Sequence, residues 1–439
     1  MSTTYVSQRT PVFLRPGSLI LYKNKKFSIN SSCIKNSRIV VGCSSSLTPT
    51  KAANEEQRTN ERESYAAAPY KGTKTYDIVT LSNLCVDIVV PVDALPSADP
   101  AERAKLLKDL TDRPPSSDAW EVGGNTNTLI AAARLGMKAA AVGQVGDDVY
   151  GGFLVDVLRQ EGVDTIVPIV NSASCVEGDT ISTLLCFVLV ASNAQHTFCS
   201  RYDFGPWPLF DSVTKLPDKV KVLLESTAAL FINGFVFDEI PAHIILEAAL
   251  HAQRGGAAVL FDPGPRAWTF GQGERREAME SMLRIADIVL MTQEEAAVVT
   301  GINNAEGAAR WILERKGDHG TQSEWCIIKK GAEGALLASR YPQDLIVEQE
   351  ALKVDVRDTV GCGDSFAAAV ALGYTRGHSI PSVMALASAV GAATAMGSGA
   401  GRNVARAEHV ISLLAAALPD CKDGRHQAAL QVLEGMRSL

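Results

Sequence analysis

Nine residues near the C-terminal end, Asp358-Thr359-Val360-Gly361-Cys362-Gly363-Asp364-Ser365-Phe366, combine types that can do chemistry together. Two glycines and an acid stand directly before an Ala-rich helical run over 366–373. A glycine turn that opens a helix leaves several backbone N–H groups without intrahelical partners, all aimed at one point. Together with the positive end of the helix dipole they make an anion site. A carboxylate there would repel a phosphate, unless its task is to take the proton from a hydroxyl attacking that phosphate. Asp364 is therefore the candidate base, and Gly361, Cys362 and Gly363 the candidate anion hole. The plain alternative is an N-cap following a turn.

A second Gly-rich stretch lies far upstream, at Glu121-Val122-Gly123-Gly124-Asn125-Thr126-Asn127-Thr128, again just before a helical run. Its Asn and Thr side chains both donate and accept, as recognition of a polyhydroxylated ligand requires. Val145-Gly146-Asp147-Asp148-Val149-Tyr150-Gly151 follows as another strand-to-helix turn. Each alone reads as an ordinary turn; their order and spacing carry the information.

These stretches must be positioned by a core, and 439 residues suffice for one. Charge is unevenly spread. Residues 1–50 hold seven Lys or Arg and no Asp or Glu, leaving 35 basic against 49 acidic residues in the remainder. A basic, Ser/Thr-rich, acid-free start reads as an organelle transit peptide, residues 1–43, with a plastid-like processing site at Ile39-Val40-Val41-Gly42-Cys43. The expected compartment is the chloroplast stroma; the alternative is a basic arm for nucleic acid. Polar residues 44–75 read as a disordered linker. The remainder is acidic and has no basic cluster with interleaved aromatics, so it offers no electrostatic footprint for nucleic acid. No segment reads as membrane-spanning: the charge-free stretch 380–401 is built of Ala, Gly and Ser, suited to close helix packing. Nine scattered cysteines include no C-x-x-C pair, which points to reduced thiols.

From residue 76 onward, apolar β-type runs at 78–81, 139–142, 229–232, 258–261, 285–291 and 325–328 alternate with helical periodicity. Alternation of this kind predicts parallel strands with crossover helices on both faces, a three-layer α/β/α domain. Segments 85–122 and 175–200 carry apolar runs with no helix expected between them, and read as a small projecting β-sheet serving as a lid. The domain is expected to end near 418, with 419–439 an appended amphipathic tail.

The stretches GGNTNTLIAAARLG, VGQVGDDVYG and DTVGCGDSF resemble the two signatures of the pfkB (ribokinase-like) carbohydrate kinase family, as a plant plastid member, over about residues 76–418. The resemblance implies a ribokinase-like fold and an ATP-dependent kinase acting on a hydroxyl of a sugar, nucleoside or related polyol. It implies Asp364 as base, with Gly361, Cys362 and Gly363 as anion hole. Asp87, Gly123, Gly124, Asn125 and Asn127 would bind substrate. Thr292, Glu295, Lys330, Gly331, Gly334, Gly399 and Ala400 would meet ATP, with Glu295 organising Mg²⁺ through water. Asp358 and Val360 would hold a monovalent cation such as K⁺, and paired lid sheets would form a homodimer. The chain departs from the family pattern at four places. The first signature is one residue short, which moves Asn127 one place ahead. Thr292 replaces the Asn of N-x-x-E, Gly264 replaces the Asn of D-P-N-x-R, and Cys362 replaces a small residue. A thiol at a helix N-terminus could have a lowered pKa and serve as a redox handle; the favoured, plainer reading is that Cys362 fills the space of an Ala.

Three rival readings are set against this. Gly363-Asp364-Ser365 with Asp423-Gly424-Arg425-His426 resembles a GDS-type esterase pair, but the serine block lies late in the chain and too close to the D-x-x-H, and the match ignores both upstream signatures. G-x-x-x-x-G-K-[ST] is absent, which argues against a P-loop NTPase. A non-catalytic partner in plastid gene expression, built on the same fold, is the remaining rival. Arg201 is a candidate contact for an anionic or hydroxyl group.

Overall fold

The computed structural model describes residues 74–81, 84–97, 99–166, 169–170, 182–191, 196–201, 215–271, 273–315, 323–341, 344–398 and 400–437. The expected transit peptide 1–43, linker residues 44–73, lid residues 175–181 and Gly399 lie outside the described residues.

The strands are, in chain order, β1 Ile78–Leu81, β2 Leu84–Val92, β3 Trp120–Gly124, β4 Ala139–Val142, β5 Val145–Gly146, β6 Val163–Ile166, β7 Ile169–Val170, β8 Leu184–Ala191, β9 His196–Ser200, β10 Ala229–Asn233, β11 Ala258–Asp262, β12 Ile288–Thr292, β13 Trp325–Lys329, β14 Ala335–Ser339 and β15 Leu345–Gln349. Nine of them form one sheet in the order β15-β14-β13-β12-β11-β10-β1-β4-β6. Pairing is parallel from β6 to β13 and antiparallel at β13, β14 and β15. Successive strand residues point to opposite faces, and the sequence fills both faces with apolar groups. On β10, Ala229 and Phe231 enter one core while Leu230 and Ile232 enter the other; Ile327 and Ile328 divide likewise on β13. Each fully buried Leu, Ile or Phe stabilises the fold by roughly 1.5–3 kcal/mol.

Helices cover both faces. Thr126–Arg134, Val149–Gln160, Cys362–Thr375, Ile380–Ala395 and Ala407–Ala417 bury their apolar residues in one core, and Ala242–Arg254, Gly273–Ile285 and Ala305–Leu313 in the other. The expected three-layer α/β/α arrangement holds. Small residues let the helices Cys362–Thr375 and Ile380–Ala395 approach closely: a Cβ on Gly373 would lie 2.3 Å from a Val383 methyl. That packing fixes the helix whose first turn carries Asp364.

Four strands form a second sheet, β3-β2-β8-β9. Two expectations about the flanking segments need correction. Segment 85–122 does contain a helix, Pro100–Asp112, capped by the Asp99 side chain with Pro at its first position. It has no fully buried residue, and only Leu106, Leu107 and Leu110 lean on the core, so its apolar stripe is faint in the sequence. At the other end the fold does not stop near 418. The helix Arg425–Arg437 inserts Ala429, Leu430 and Leu433 into the core and packs Met436 against Gly136. Among the described residues no helix is long and apolar enough to cross a membrane.

Candidate active site

The main sheet ends on a polar fringe. Asn233, Asp262, Thr292 and Lys329 are the last residues of β10, β11, β12 and β13, and the carboxyl edge of a parallel sheet is where ligands bind. The helix Cys362–Thr375 starts beside this edge. Its N-cap, Gly361, adopts φ 80°, a left-handed conformation that favours glycine. A Cβ there would also press to 3.0 Å from Ala400. The Ser365 N–H closes the first helical bond, onto the Gly361 carbonyl at 2.9 Å. The Cys362 N–H turns back to the Thr359 carbonyl at 3.3 Å. Of the three expected anion-hole residues, the Cys362 amide is thus turned back into the loop, while the amides of Gly361, Gly363 and Asp364 have no backbone acceptor among the described residues.

Asp364 is held from across the chain. The Asn127 amide donates to one carboxylate oxygen at 3.3 Å and the Thr128 hydroxyl to the other at 3.2 Å, although 237 and 236 positions separate the partners. The two Gly-rich stretches therefore meet. Burial, then the charge of Asp262, pushes the Asp364 carboxyl up to about 6; Lys329, Asn127 and Thr128 pull the other way. A base tuned close to working pH is what proton abstraction needs. Asn127, expected to touch substrate, is instead engaged at both ends, because its carbonyl accepts from the Gly401 N–H at 2.9 Å. Asn125 is also turned inward, donating to the Leu81 carbonyl at 2.9 Å. Both amides thus serve to position the loop.

Asp87 stands on β2 opposite Glu121 of β3. Gly123 is indispensable beside it: a Cβ there would fall 2.1 Å from an Asp87 carboxylate oxygen. Burial pushes the Asp87 carboxyl up to about 7, with the charges of Asp364 and Glu121 adding to the effect. Gly124 takes φ 61° to bring the loop round. Glu121 receives Arg402 through its backbone N–H at 3.0 Å and its guanidinium at 3.1 Å, which ties β3 to the 401–403 turn. A cleft of about 920 Å³ opens here, walled by Val89, Trp120, Val188 and Val190 on one side and by Asp358, Val360 and Ala400 on the other.

On the nucleotide side the structure departs further from expectation. Thr292 and Glu295 form a reciprocal capping box, Thr292 N–H to the Glu295 carboxylate at 2.7 Å and Glu295 N–H to the Thr292 hydroxyl at 3.2 Å. Threonine thus serves this turn directly. Lys330 turns toward Glu348 on β15, 3.9 Å away, while Gly331 (φ 57°) and Gly334 (φ 91°) shape the turn into β14. Strand alternation sends the preceding residue, Lys329, to the helix side. Its ammonium lies 2.6 Å from Asp262, and a Cβ on Gly363 would come within 3.4 Å of it. Burial works against the charge on Lys329, but Asp262 and Glu295 outweigh it and raise its pKa. Lys329 and Arg402 were not expected as site residues, whereas Thr128 and Asp262 lie inside motifs the sequence offered without a role of their own. Thr128 sits inside the motif itself and was legible; Lys329 lies one place past the apolar run.

At Cys362 the structure goes with the plainer reading. Burial and the charges of Asp358 and Asp364 push its thiol up to about 12, so the helix N-terminus does not yield a reactive thiolate. The Asp358 carboxylate accepts from the Val360 N–H at 2.9 Å and stabilises the turn. Arg201 is exposed. Among the described residues no group of three or more His, Cys, Asp or Glu side chains is gathered to hold a metal ion. Mg²⁺ in phosphoryl-transfer sites keeps several waters and takes one or two carboxylates plus phosphates. Asp262 and Glu295, with their hard oxygens at the sheet edge, fit that role.

A half-buried carboxylate beside free helix amides, facing a lysine, at the carboxyl edge of a parallel sheet fits a phosphotransferase site. Residues 93–407 match the pfkB family carbohydrate kinases, and the chain belongs to that family. It is a kinase with an alcohol group as acceptor. The chain is 25% identical over 321 residues to the 5-dehydro-2-deoxygluconokinase of Shouchella clausii, covering 72% of this chain and 88% of that protein. It is likewise 25% identical over 322 residues to the enzyme of that name from Bacillus subtilis, with 72% and 89% covered. Among solved structures it is similar to an Arabidopsis thaliana ribokinase complexed with ribose and ATP, at TM-score 0.57 and 20% identity, covering 77% of this chain and 98% of that one. A Sinorhizobium meliloti adenosine kinase aligns at TM-score 0.60 and 21% identity, covering 79% and 99%.

Proposed function

We propose that the protein transfers the γ-phosphoryl group of ATP to a hydroxyl of a small sugar or sugar acid, with Asp364 as general base. One observation carries this reading: Asp364 is gripped by Asn127 and Thr128 of the first motif while lying in the first turn of the helix that the second motif opens. The acceptor lies against Asp87 and the Gly123-Gly124 loop, below the four-stranded sheet. Asp364 takes its proton as the oxygen attacks in line. The amides of Gly363 and Asp364 hold charge on the moving phosphoryl group. Mg²⁺, when bound, would neutralise phosphate charge, with Asp262 and Glu295 facing it. A K⁺ requirement belongs to this proposal too, through Asp358 and Val360.

The test is a panel of pentoses, hexoses, 5-dehydro-2-deoxygluconate and nucleosides, assayed with ATP, Mg²⁺ and K⁺. Asp364→Asn on the best acceptor should lower kcat by about 10²–10⁴, with ATP affinity changed little; near-normal turnover would refute the base. A nucleoside acceptor is the second reading. It is favoured by the apolar wall of Val89, Trp120, Val188 and Val190, which suits a flat aglycone. Nothing among the described residues favours a non-catalytic role. The proposal extends to a plastid stromal location directed by residues 1–43, to be checked by fusing them to a fluorescent reporter. It also extends to a homodimer through the lid sheets, to be checked by the mass in solution.

A further inference from the structure

Lys329 stands where the helix dipole alone would not put a lysine. The N-terminus of a helix carries partial positive charge, and a cation placed there is repelled by roughly the 0.3–1 kcal/mol that an anion would gain. Strand β13 runs antiparallel to the helix Cys362–Thr375, as two contacts show. At one end Trp325 stacks edge-on against Tyr374, with ring centroids 4.8 Å apart. At the other, the Lys329 ammonium hovers over Gly363, at the second residue of the helix. The side chain is 15% exposed, so its aliphatic stem is packed and its reach is confined to the space between the helix turn and the sheet edge. In that space three carboxylates act on it, Asp262, Glu295 and Asp364. One ammonium against three carboxylates is an unbalanced set. Neither the helix nor Asp262 alone accounts for a cation aimed at the amides that would cradle a phosphate.

We infer that Lys329 is a further catalytic residue, its ammonium binding oxygens of the γ-phosphoryl group above the Gly363 and Asp364 amides, with Asp262 as its resting partner. The inference rests on the kinase reading above. A lysine suits the task because its compact charge rides on a flexible stem with three donors. It can leave one carboxylate oxygen for a phosphoryl oxygen without movement of the backbone. In the transfer itself a bond forms from the acceptor oxygen to the γ-phosphorus, and the bond to the β,γ-bridging oxygen breaks. ADP leaves with that electron pair, and the hydroxyl proton goes to Asp364. Lys329 exchanges neither proton nor bond; it supplies charge that follows the phosphoryl group.

The test separates this contact from a structural ion pair by using nucleotide binding without turnover. Titration calorimetry with Mg²⁺ would compare ADP and β,γ-imido-ATP on wild type, Lys329→Met and Lys329→Arg. Loss of a charge-assisted contact to the terminal phosphoryl group should weaken imido-ATP by about tenfold or more in Lys329→Met, and ADP by less than about threefold. Lys329→Arg should keep most of the difference between the two nucleotides. Equal weakening of both, or of neither, overturns the inference and leaves Lys329 as the counter-ion of Asp262. If the Met variant does not fold, Lys329→Gln, which still donates to Asp262, takes its place under the same criteria. Because no turnover is measured, an active Asp364→Asn enzyme would refute the base while leaving this result to stand or fall by itself.

Discussion

The helix-capped end of the site and the lid sheet are built on opposite plans. Around Asp364 the chain is tightly held: buried Asn127 and Thr128 donate to its carboxylate, and a buried Ala-rich helix stands behind it. Across the cleft, β2, β3 and β8 present the apolar side chains of Val89, Trp120, Val188 and Val190, with Asp87 and Glu121 as polar groups among them. Asp87 is pinned by the absence of a side chain at Gly123. The contrast teaches where precision is needed. Proton abstraction and phosphoryl stabilisation fail when a group moves by an ångström, whereas a lid excludes water and tolerates variation.

The largest effect should come at the rigid end, where Asp364→Asn removes the base. Next is Gly123→Ala, which drives a methyl into the Asp87 carboxylate. It should raise the acceptor KM by about tenfold or more through a displaced Asp87, with ATP affinity unchanged. An unaltered KM would mean that Asp87 does not meet the acceptor. The third concerns pH. With Asp364 at about 6, kcat should fall as pH drops below that value, because the base is then protonated; a flat profile from pH 7 to 5 would contradict it. The same shift has a stability sign. The folded-state pKa lies above the ordinary 3.8, so Asp364 favours folding below 3.8 and loses that support between 3.8 and about 6. Above pH 6 the buried charge is a standing penalty. Asp364→Asn should therefore raise stability at pH 8, on the order of 1–3 kcal/mol, with the gain shrinking toward pH 4 in thermal melts. The smallest effect should come at the lid, where Val89→Ser should shift the acceptor KM by less than about fivefold.

Much of this was legible in the sequence, and what was missed was missed for a physical reason. Apolar runs mark strands up to their last core residue, so the readings ended at Ile232, Phe261, Met291 and Ile328. Each strand continues by one polar residue, to Asn233, Asp262, Thr292 and Lys329, and these line the site. A hydrophobic pattern falls silent just where the chemistry begins. Lys329 was passed over for the same reason; only the pleat, which sends it and Lys330 to opposite faces, tells the two apart. The tight first motif also hid the roles of Asn125 and Asn127, because polarity alone does not say whether an amide faces ligand or protein. At the C-terminus, the pattern of 425–437 was visible as amphipathic, but its own residues do not say that the preceding helices Ile380–Ala395 and Ala407–Ala417 form its partner surface.

The grip of Asn127 and Thr128 on Asp364 spans more than half the polypeptide. During synthesis the first motif leaves the ribosome long before the second is made, and a chain interrupted anywhere between them has its acceptor loop but no base. Catalytic competence therefore arrives late, in a single step, once the closing helices emerge and dock. A nicked or half-finished copy would be unable to consume ATP.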